Sequence, residues 1–269
     1  MPRAKDNMMM PTTAVDPSDL LVVAAAPEHL AAARRLAEHL GARLGASADE
    51  LADAPLGLVF DEEGLALAGA GMTLRADLND MKPRLKPANL NRELLVKAAK
   101  IKGAVQAPLA IDATAGFGQD SLLLAAAGFR VRLYERDPVI AALLADAVRR
   151  ASLDPDLAEI VARMQVVEGD SACALRQLPE PPDVVYLDPM FPERRKSAAV
   201  KKKFQLLHLL ERPCMDQDEL MGAAMAAAPR KIVVKRPLKG PYLAGAKPSY
   251  SISGKAIRYD CLVMSRPAG

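Results

Sequence analysis

One pattern in the second half of the chain leaves little freedom in the fold. Short runs of strand length, at 109–112, 130–135, 164–168, 184–187 and 231–235, alternate with segments of helical periodicity. Successive strands separated by helix-length crossovers pair in parallel, and such sheets carry helices on both faces. The helices also have recognisable starts. Asp137-Pro138 places a capping residue before a first-turn proline, and Asp216-Gln217-Asp218-Glu219 has the spacing of a capping box. The predicted fold is therefore α/β, with a doubly wound parallel sheet. The tail departs from the alternation: 249–253 and 256–264 flank Gly254-Lys255 and predict an antiparallel hairpin closing one edge.

Upstream, the organisation differs. Residues 1–19 read as a disordered lead. Residues 20–80 predict a small α+β subdomain, with a strand at 20–25 and a helix from 27 to about 44. A hairpin at 56–60 and 65–68 follows, turning on Asp61-Glu62-Glu63-Gly64, with a further strand at 72–76. Residues 81–102 form a basic connector, beginning MKPRLKP, and a helix from 91 to about 101. The remaining residues, 103–269, are the main α/β domain.

With 51% hydrophobic and 26% charged residues, the 269-residue chain can bury a full core. Its net charge of +3 is modest, but the distribution is uneven. From Leu220 to Tyr259 there are eight Lys and Arg and no Asp or Glu, an electrostatic footprint suited to a polyanion. Cys173, Cys214 and Cys261 form no paired motif and read as small buried apolar residues in a reducing compartment. His29, His39 and His208 have no second ligand at useful spacing, so no metal is expected. The apolar run at 20–26 is too short to span a bilayer and no signal segment precedes it, which predicts a cytoplasmic protein.

The chemistry is carried by the ends of the strands. The first runs into Asp112-Ala-Thr-Ala-Gly116-Phe-Gly118-Gln119-Asp120 and then a helix from 121 to 127. Glycines there permit a sharp turn and close approach of a ligand to the backbone. The next strands end at Glu135, at Asp170-Ser171 and at Asp188, so four strands deliver carboxylates to one edge. In an open α/β sheet that edge lines the ligand crevice. A nicotinamide dinucleotide and S-adenosylmethionine both suit a glycine loop followed about 20 residues later by an acid for ribose hydroxyls. Charge separates them. A pyrophosphate against these acids meets like-charge contacts of about 4 kcal/mol each at about 4 Å and intermediate dielectric. An ammonium and a sulfonium are attracted instead, and Ser121 replaces the third glycine of the dinucleotide fingerprint. S-adenosylmethionine is the expected cofactor.

Asp188-Pro189-Met190-Phe191 then suggests an acceptor site. An exocyclic amine on a nucleobase is a poor nucleophile because its lone pair is delocalised into the ring. Asp188 and the Pro189 carbonyl can accept its two N–H groups, and Phe191 can stack on the base. Catalysis would come mainly from alignment for in-line transfer.

At these residues the sequence resembles the class I S-adenosylmethionine-dependent methyltransferases. More narrowly, it is similar to the bacterial small-subunit (16S) rRNA guanine-N2 methyltransferases of the RsmJ family. The matching runs are DATAGFGQD, VRLYERDPVIAALL, VVYLDPMFP, KSAAVKK and VVKRP, within roughly residues 80–265. The resemblance implies a Rossmann-like sheet and methyl transfer to the N2 amine of a guanine in 16S rRNA, free or in the assembled 30S particle. It implies that Asp112, Gly116, Gly118, Gln119 and Asp120 surround the methionine end of the cofactor. Glu135 would hold the ribose with Arg136 beside it, Asp170 and Ser171 would border the adenine, and Asp188 would lie between cofactor and guanine. Other readings are an amino-methyltransferase for another nucleic-acid base or a protein amide, a dinucleotide oxidoreductase, and a non-catalytic RNA-binding module.

Directly after the acceptor loop come Arg194, Arg195, Lys196, Lys201, Lys202 and Lys203. Val200, Phe204 and Leu207 have amphipathic helix spacing, which would place the lysines outward. Six cations without an intervening acid predict contacts to RNA phosphates. Lys235 and Arg236, in the acid-free stretch from Leu220 to Tyr259, are grouped with them.

Overall fold

The computed structural model describes residues 19–52, 54–101, 103, 106–189, 206 and 217–264. Among them the chain builds two sheets around a shared core. The first begins with β1 (Leu20–Ala24), a single turn at Pro27–His29 and helix α1 (Leu30–Leu40). The sequence pattern carries this helix to about residue 44, but Gly41 adopts a left-handed conformation, φ 64°, and stops it. Residues beyond it form β2 (Arg43–Leu44), followed by β3 (Leu56–Asp61), β4 (Gly64–Gly69) and β5 (Met72–Leu74). The order is β2-β1-β3-β4-β5. As expected, β3 and β4 form a hairpin, with Asp61 opposite Gly64.

The connector is more regular than its prolines suggest. Residues 82–90 form two short helices, α2 (Lys82–Leu85) and α3 (Pro87–Leu90), each with proline in its first turn, where a missing N–H costs nothing. Helix α4 (Leu94–Ala99) follows, shorter than the 91–101 expected.

The second sheet matches the sequence pattern closely. Strands β6 (Leu109–Asp112), β7 (Arg130–Glu135), β8 (Met164–Glu168), β9 (Val184–Leu187) and β10 (Lys231–Pro237) run parallel. Strands β11 (Tyr250–Ser253) and β12 (Ile257–Val263) form the antiparallel closing hairpin. Helices α5 (Gln119–Ala126), α6 (Pro138–Ala151), α7 (Ala158–Val161), α8 (Ser171–Leu175) and α9 (Gln217–Ala226) fill the connections among the described residues. Asp137 caps α6 as expected, accepting from the Val139 and Ile140 N–H groups. Asp216, the expected cap of α9, lies outside the described residues, as do residues 1–18, His208 and Cys214.

Alternation along the strands sorts the core into two layers. Ala110, Val131, Leu133, Val184 and Val233 face α5, α6 and the first sheet. Leu109, Ile111, Val185, Leu187, Ile232 and Val234 face α8 and α9. This two-sided burial is why these strands read as continuous apolar runs. The strand order β11-β12-β10-β9-β6-β7-β8 reverses direction of growth between β6 and β9. That switch point opens a crevice at the carboxyl ends of the strands.

The first sheet is tied to the second through α6. Asp146, 7% exposed, accepts from the Leu65 N–H and from Arg149 and Arg150, and Arg150 also reaches the Ala76 carbonyl. Cys173, expected to be buried, is exposed on the solvent side of α8, while Cys261 is buried.

Candidate active site

The crevice begins with the turn between β6 and α5. Gly116 and Gly118 both have positive φ, 52° and 73°. They serve different ends. A Cβ on Gly118 would lie 2.6 Å from Leu144 Cδ1, so its bare backbone lets the start of α5 pack against α6. A Cβ on Gly116 would meet nothing within 4 Å, which leaves open space beside the backbone. The turn is held from beneath by Asp112, whose carboxylate accepts from Thr114 N at 3.1 Å and Ser121 Oγ at 2.6 Å. Only 1% of Asp112 is exposed, and burial pushes its carboxyl up from 3.8 to about 7 despite those two hydrogen bonds. Asp112 therefore acts on the crevice through the loop it supports. Gln119 opens α5 and is exposed.

Glu135, at the end of β7, also spans the loop. One carboxylate oxygen accepts from Gly116 N at 2.9 Å and the other from Asp137 N at 2.9 Å. Burial raises its pKa, opposed by those backbone donors. Each oxygen has a second lone pair, so the group can still accept from a ligand hydroxyl. Arg136 is exposed, its Nε 3.9 Å from Asp170 Oδ2. Asp170 caps α8, accepting from Ala172 N at 2.8 Å and Cys173 N at 3.1 Å, and Ser171 follows it half-buried. The capping role alone accounts for an acid at Asp170.

Asp188 and Pro189 end β9 on the other side of the switch point. The Asp188 N–H donates to Thr114 Oγ1 at 2.7 Å, which fixes the start of this loop against the glycine turn. Pro189 is buried. Parallel pairing sets Val234 against Leu187, so Lys235 stands beside Asp188. Its ammonium donates to Asp188 Oδ2 and Asp120 Oδ2, both at 2.8 Å. Tyr186 donates to the same Asp120 oxygen at 2.6 Å. Burial lowers the Lys235 pKa, but Asp120 and Asp188 together outweigh it and hold the group firmly protonated. Burial, followed by the charge of Asp120, raises the Tyr186 hydroxyl well above its ordinary value.

The two cations expected on the RNA side near this strand are thus placed otherwise. Lys235 is an internal counter-ion of the crevice, because strand alternation turns it inward with Asp188. Arg236 is 1% exposed, with Nε donating to the Pro241 carbonyl at 2.7 Å. A phosphate has no open surface to meet there. Phe191, Arg194, Arg195, Lys196, Lys201, Lys202 and Lys203 lie outside the described residues.

Asp112, Gly116, Gly118, Asp120, Glu135 and Asp188 are therefore brought to one end of the sheet, while Arg136, Asp170 and Ser171 sit farther along its rim beyond β7. Sequence reading missed Thr114 and Tyr186. Tyr186 carried a usable signal: it stands two residues before Asp188, on the same face of an otherwise aliphatic strand. Among the described residues no group of His, Cys, Asp and Glu could hold a metal ion, and no helix is long and apolar enough to cross a membrane.

The donor set fits S-adenosylmethionine. Three aspartates share the crevice with one lysine, leaving an environment that favours a cation, and Gly116 leaves room beside its backbone for a ligand. Glu135 keeps a lone pair on each oxygen, the kind of acceptor that suits a hydroxyl-bearing ligand. A pyrophosphate would meet the same acids unfavourably.

Residues 44–264 match the family model described as "Putative SAM-dependent methyltransferase". "Ribosomal RNA small subunit methyltransferase J" of Thioalkalivibrio sulfidiphilus is 44% identical over 86% of this chain and 93% of that protein. The protein of the same name from Pseudomonas aeruginosa is 44% identical over 85% of this chain and 88% of its own length. The crystal structure of an S-adenosylmethionine-dependent methyltransferase from Neisseria gonorrhoeae superimposes with a TM-score of 0.71 at 28% identity, covering 93% of this chain and 97% of that one. With its glycine turn and converging acids, and with relatives this similar over most of its length, the chain belongs to the ribosomal RNA small subunit methyltransferase J family of S-adenosylmethionine-dependent methyltransferases.

Proposed function

We propose that the protein methylates the exocyclic N2 amine of a guanine in small-subunit (16S) rRNA, in the cytoplasm, on free rRNA or the assembled 30S particle. The observation that carries this reading is Asp188, held at the switch point by Thr114 and Lys235, in a chain 44% identical to rRNA methyltransferases. S-adenosylmethionine supplies an activated methyl group and departs as a neutral thioether. Gly116 and Gly118 shape the loop against which its methionine end lies, with Asp112, Gln119 and Asp120 around it. Glu135 accepts from the ribose, and Arg136, Asp170 and Ser171 border the adenine.

On the acceptor side, Asp188 and the Pro189 carbonyl receive the two N–H groups of the amine. This aims the N2 lone pair at the methyl carbon. The N–C bond forms with that lone pair as the C–S pair returns to sulfur, and N2 then loses one proton to Asp188 or water. Phe191 stacks on the base. Arg194, Arg195, Lys196, Lys201, Lys202 and Lys203 follow this loop in sequence and bind flanking phosphates, which give affinity and register without reading sequence.

Asp188→Ala separates the two halves of this reading. The variant should bind S-adenosylmethionine by calorimetry with much less loss than it shows in single-turnover methylation of 16S rRNA, which should be abolished. A variant that methylates at near wild-type rate would remove Asp188 from the chemistry.

A further inference from the structure

Lys235 is the feature that the reaction as described leaves unused. Its side chain is 25% exposed and lies between two carboxylates from different elements, Asp120 of α5 and Asp188 after β9. Asp120 is also bound by the Tyr186 hydroxyl, and the Asp188 backbone is pinned by Thr114. The Asp188 carboxylate is therefore fixed at both ends, by its own main chain and by an ammonium.

We infer that Lys235 is a positioning residue, acting through Asp188: it holds that carboxylate charged and turned to receive the acceptor amine. The inference rests on the reaction proposed above. Without that ammonium, Asp120 and Asp188 would stand as uncompensated carboxylates in a partly dry crevice, with Asp112 behind them, and like charges there favour uptake of a proton. A protonated Asp188 could offer a donor where the amine already brings two. Lys235 also links the acid assigned to the cofactor side to the acid assigned to the acceptor side. Among the described residues, the other titratable groups acting on this cluster include Tyr186, Tyr259 of β12, Arg84 of α2, which acts on Asp120 and Tyr259, and Arg236, which senses Asp188. Of the cations, only Lys235 donates hydrogen bonds to both Asp120 and Asp188 among the described residues.

The test uses Lys235→Met, similar in length without charge, and Lys235→Arg, which restores the charge. Thermal melts establish folding, calorimetry gives S-adenosylmethionine affinity, and single-turnover methylation of 16S rRNA is followed across pH. A positioning role predicts that K235M keeps cofactor affinity within about threefold, since a cation is removed from beside a cationic ligand. Its rate should fall about a hundredfold near neutral pH, the scale of a misaligned reacting group. That rate should recover towards wild type as pH rises, and K235R should keep the wild-type pH profile. A uniform loss at every pH, or a loss confined to cofactor affinity, would overturn the inference. Should K235M not fold, K235Q is measured against the same outcomes. If wild type itself methylates no rRNA, the reaction reading has failed on its own. Carboxyl ¹³C NMR of aspartate-labelled protein, assigned with D188N, then decides the role of Lys235: Asp188 should titrate at higher pH in K235M, and identical titration would refute it.

Discussion

Replacing Asp112 by asparagine should make the protein more stable and bind its cofactor less well. The carboxyl is 1% exposed and is pushed from 3.8 up to about 7 by burial. A folded-state pKa above the unfolded value means the native protein holds the proton more tightly. The contribution of Asp112 to stability is thus fully present below about pH 4 and is lost as pH rises through about 7. At about 1.4 kcal/mol per pH unit, the rise amounts to about 4 kcal/mol. The asparagine side chain escapes this cost and keeps both hydrogen bonds. Its oxygen can accept from Thr114 N, and its amide can donate to Ser121 Oγ, because a hydroxyl serves as donor or acceptor. Denaturant unfolding of both proteins across pH 4 to 8 is the assay. The D112N protein should gain on wild type by up to about 4 kcal/mol across that range. Its affinity for S-adenosylmethionine near pH 8 should fall, since the crevice has lost a negative charge. A pH-independent difference in stability, or a variant less stable than wild type near pH 8, would show that Asp112 does not carry this cost.

Three further outcomes follow from the same geometry. Glu135→Ala removes the acceptor proposed for the ribose, so calorimetry should show S-adenosylmethionine binding weakened by about 1.5–3 kcal/mol per lost bond, and the loss of acceptors for the Gly116 and Asp137 N–H groups should lower the melting temperature. Gly118→Ala should destabilise more than Gly116→Ala, because only its Cβ meets Leu144, whereas Gly116→Ala should cost more cofactor affinity; melts and calorimetry on both variants compare them. Changing Lys201 and Lys202 to Gln should weaken rRNA binding, reduce the log–log salt slope by about 0.7–0.9 per lost phosphate contact, and leave cofactor affinity intact. An unchanged slope would make that run an ordinary solvated helix face.

The second sheet was legible because its strands are buried on both faces. Their apolar runs had nowhere else to go, and four of the five parallel strands have the boundaries read from the sequence. The acids at their ends were equally plain, since a carboxylate closing a buried run is hard to explain as solvation. What one dimension hides is the partner. Asp170 read only as an acid bordering the adenine, yet one of its carboxylate oxygens also caps α8 by accepting from two N–H groups. Lys235 and Arg236 looked like a basic patch, yet strand register turns one towards Asp188 and buries the other. MKPRLKP read as a basic, proline-rich connector without helices of its own, yet proline in a first turn starts a helix, and two short ones form there.

Methylation of the N2 amine of a guanine in small-subunit rRNA by this crevice is read most directly from the modified nucleoside. Small-subunit rRNA, free or in 30S particles, taken from a strain lacking the protein should be incubated with the purified protein and S-adenosylmethionine, digested to nucleosides and analysed by mass spectrometry. N2-methylguanosine should appear at a single site with wild type and be absent with Asp188→Ala. Methyl on another base or another atom, or an equal yield from the variant, would contradict this assignment.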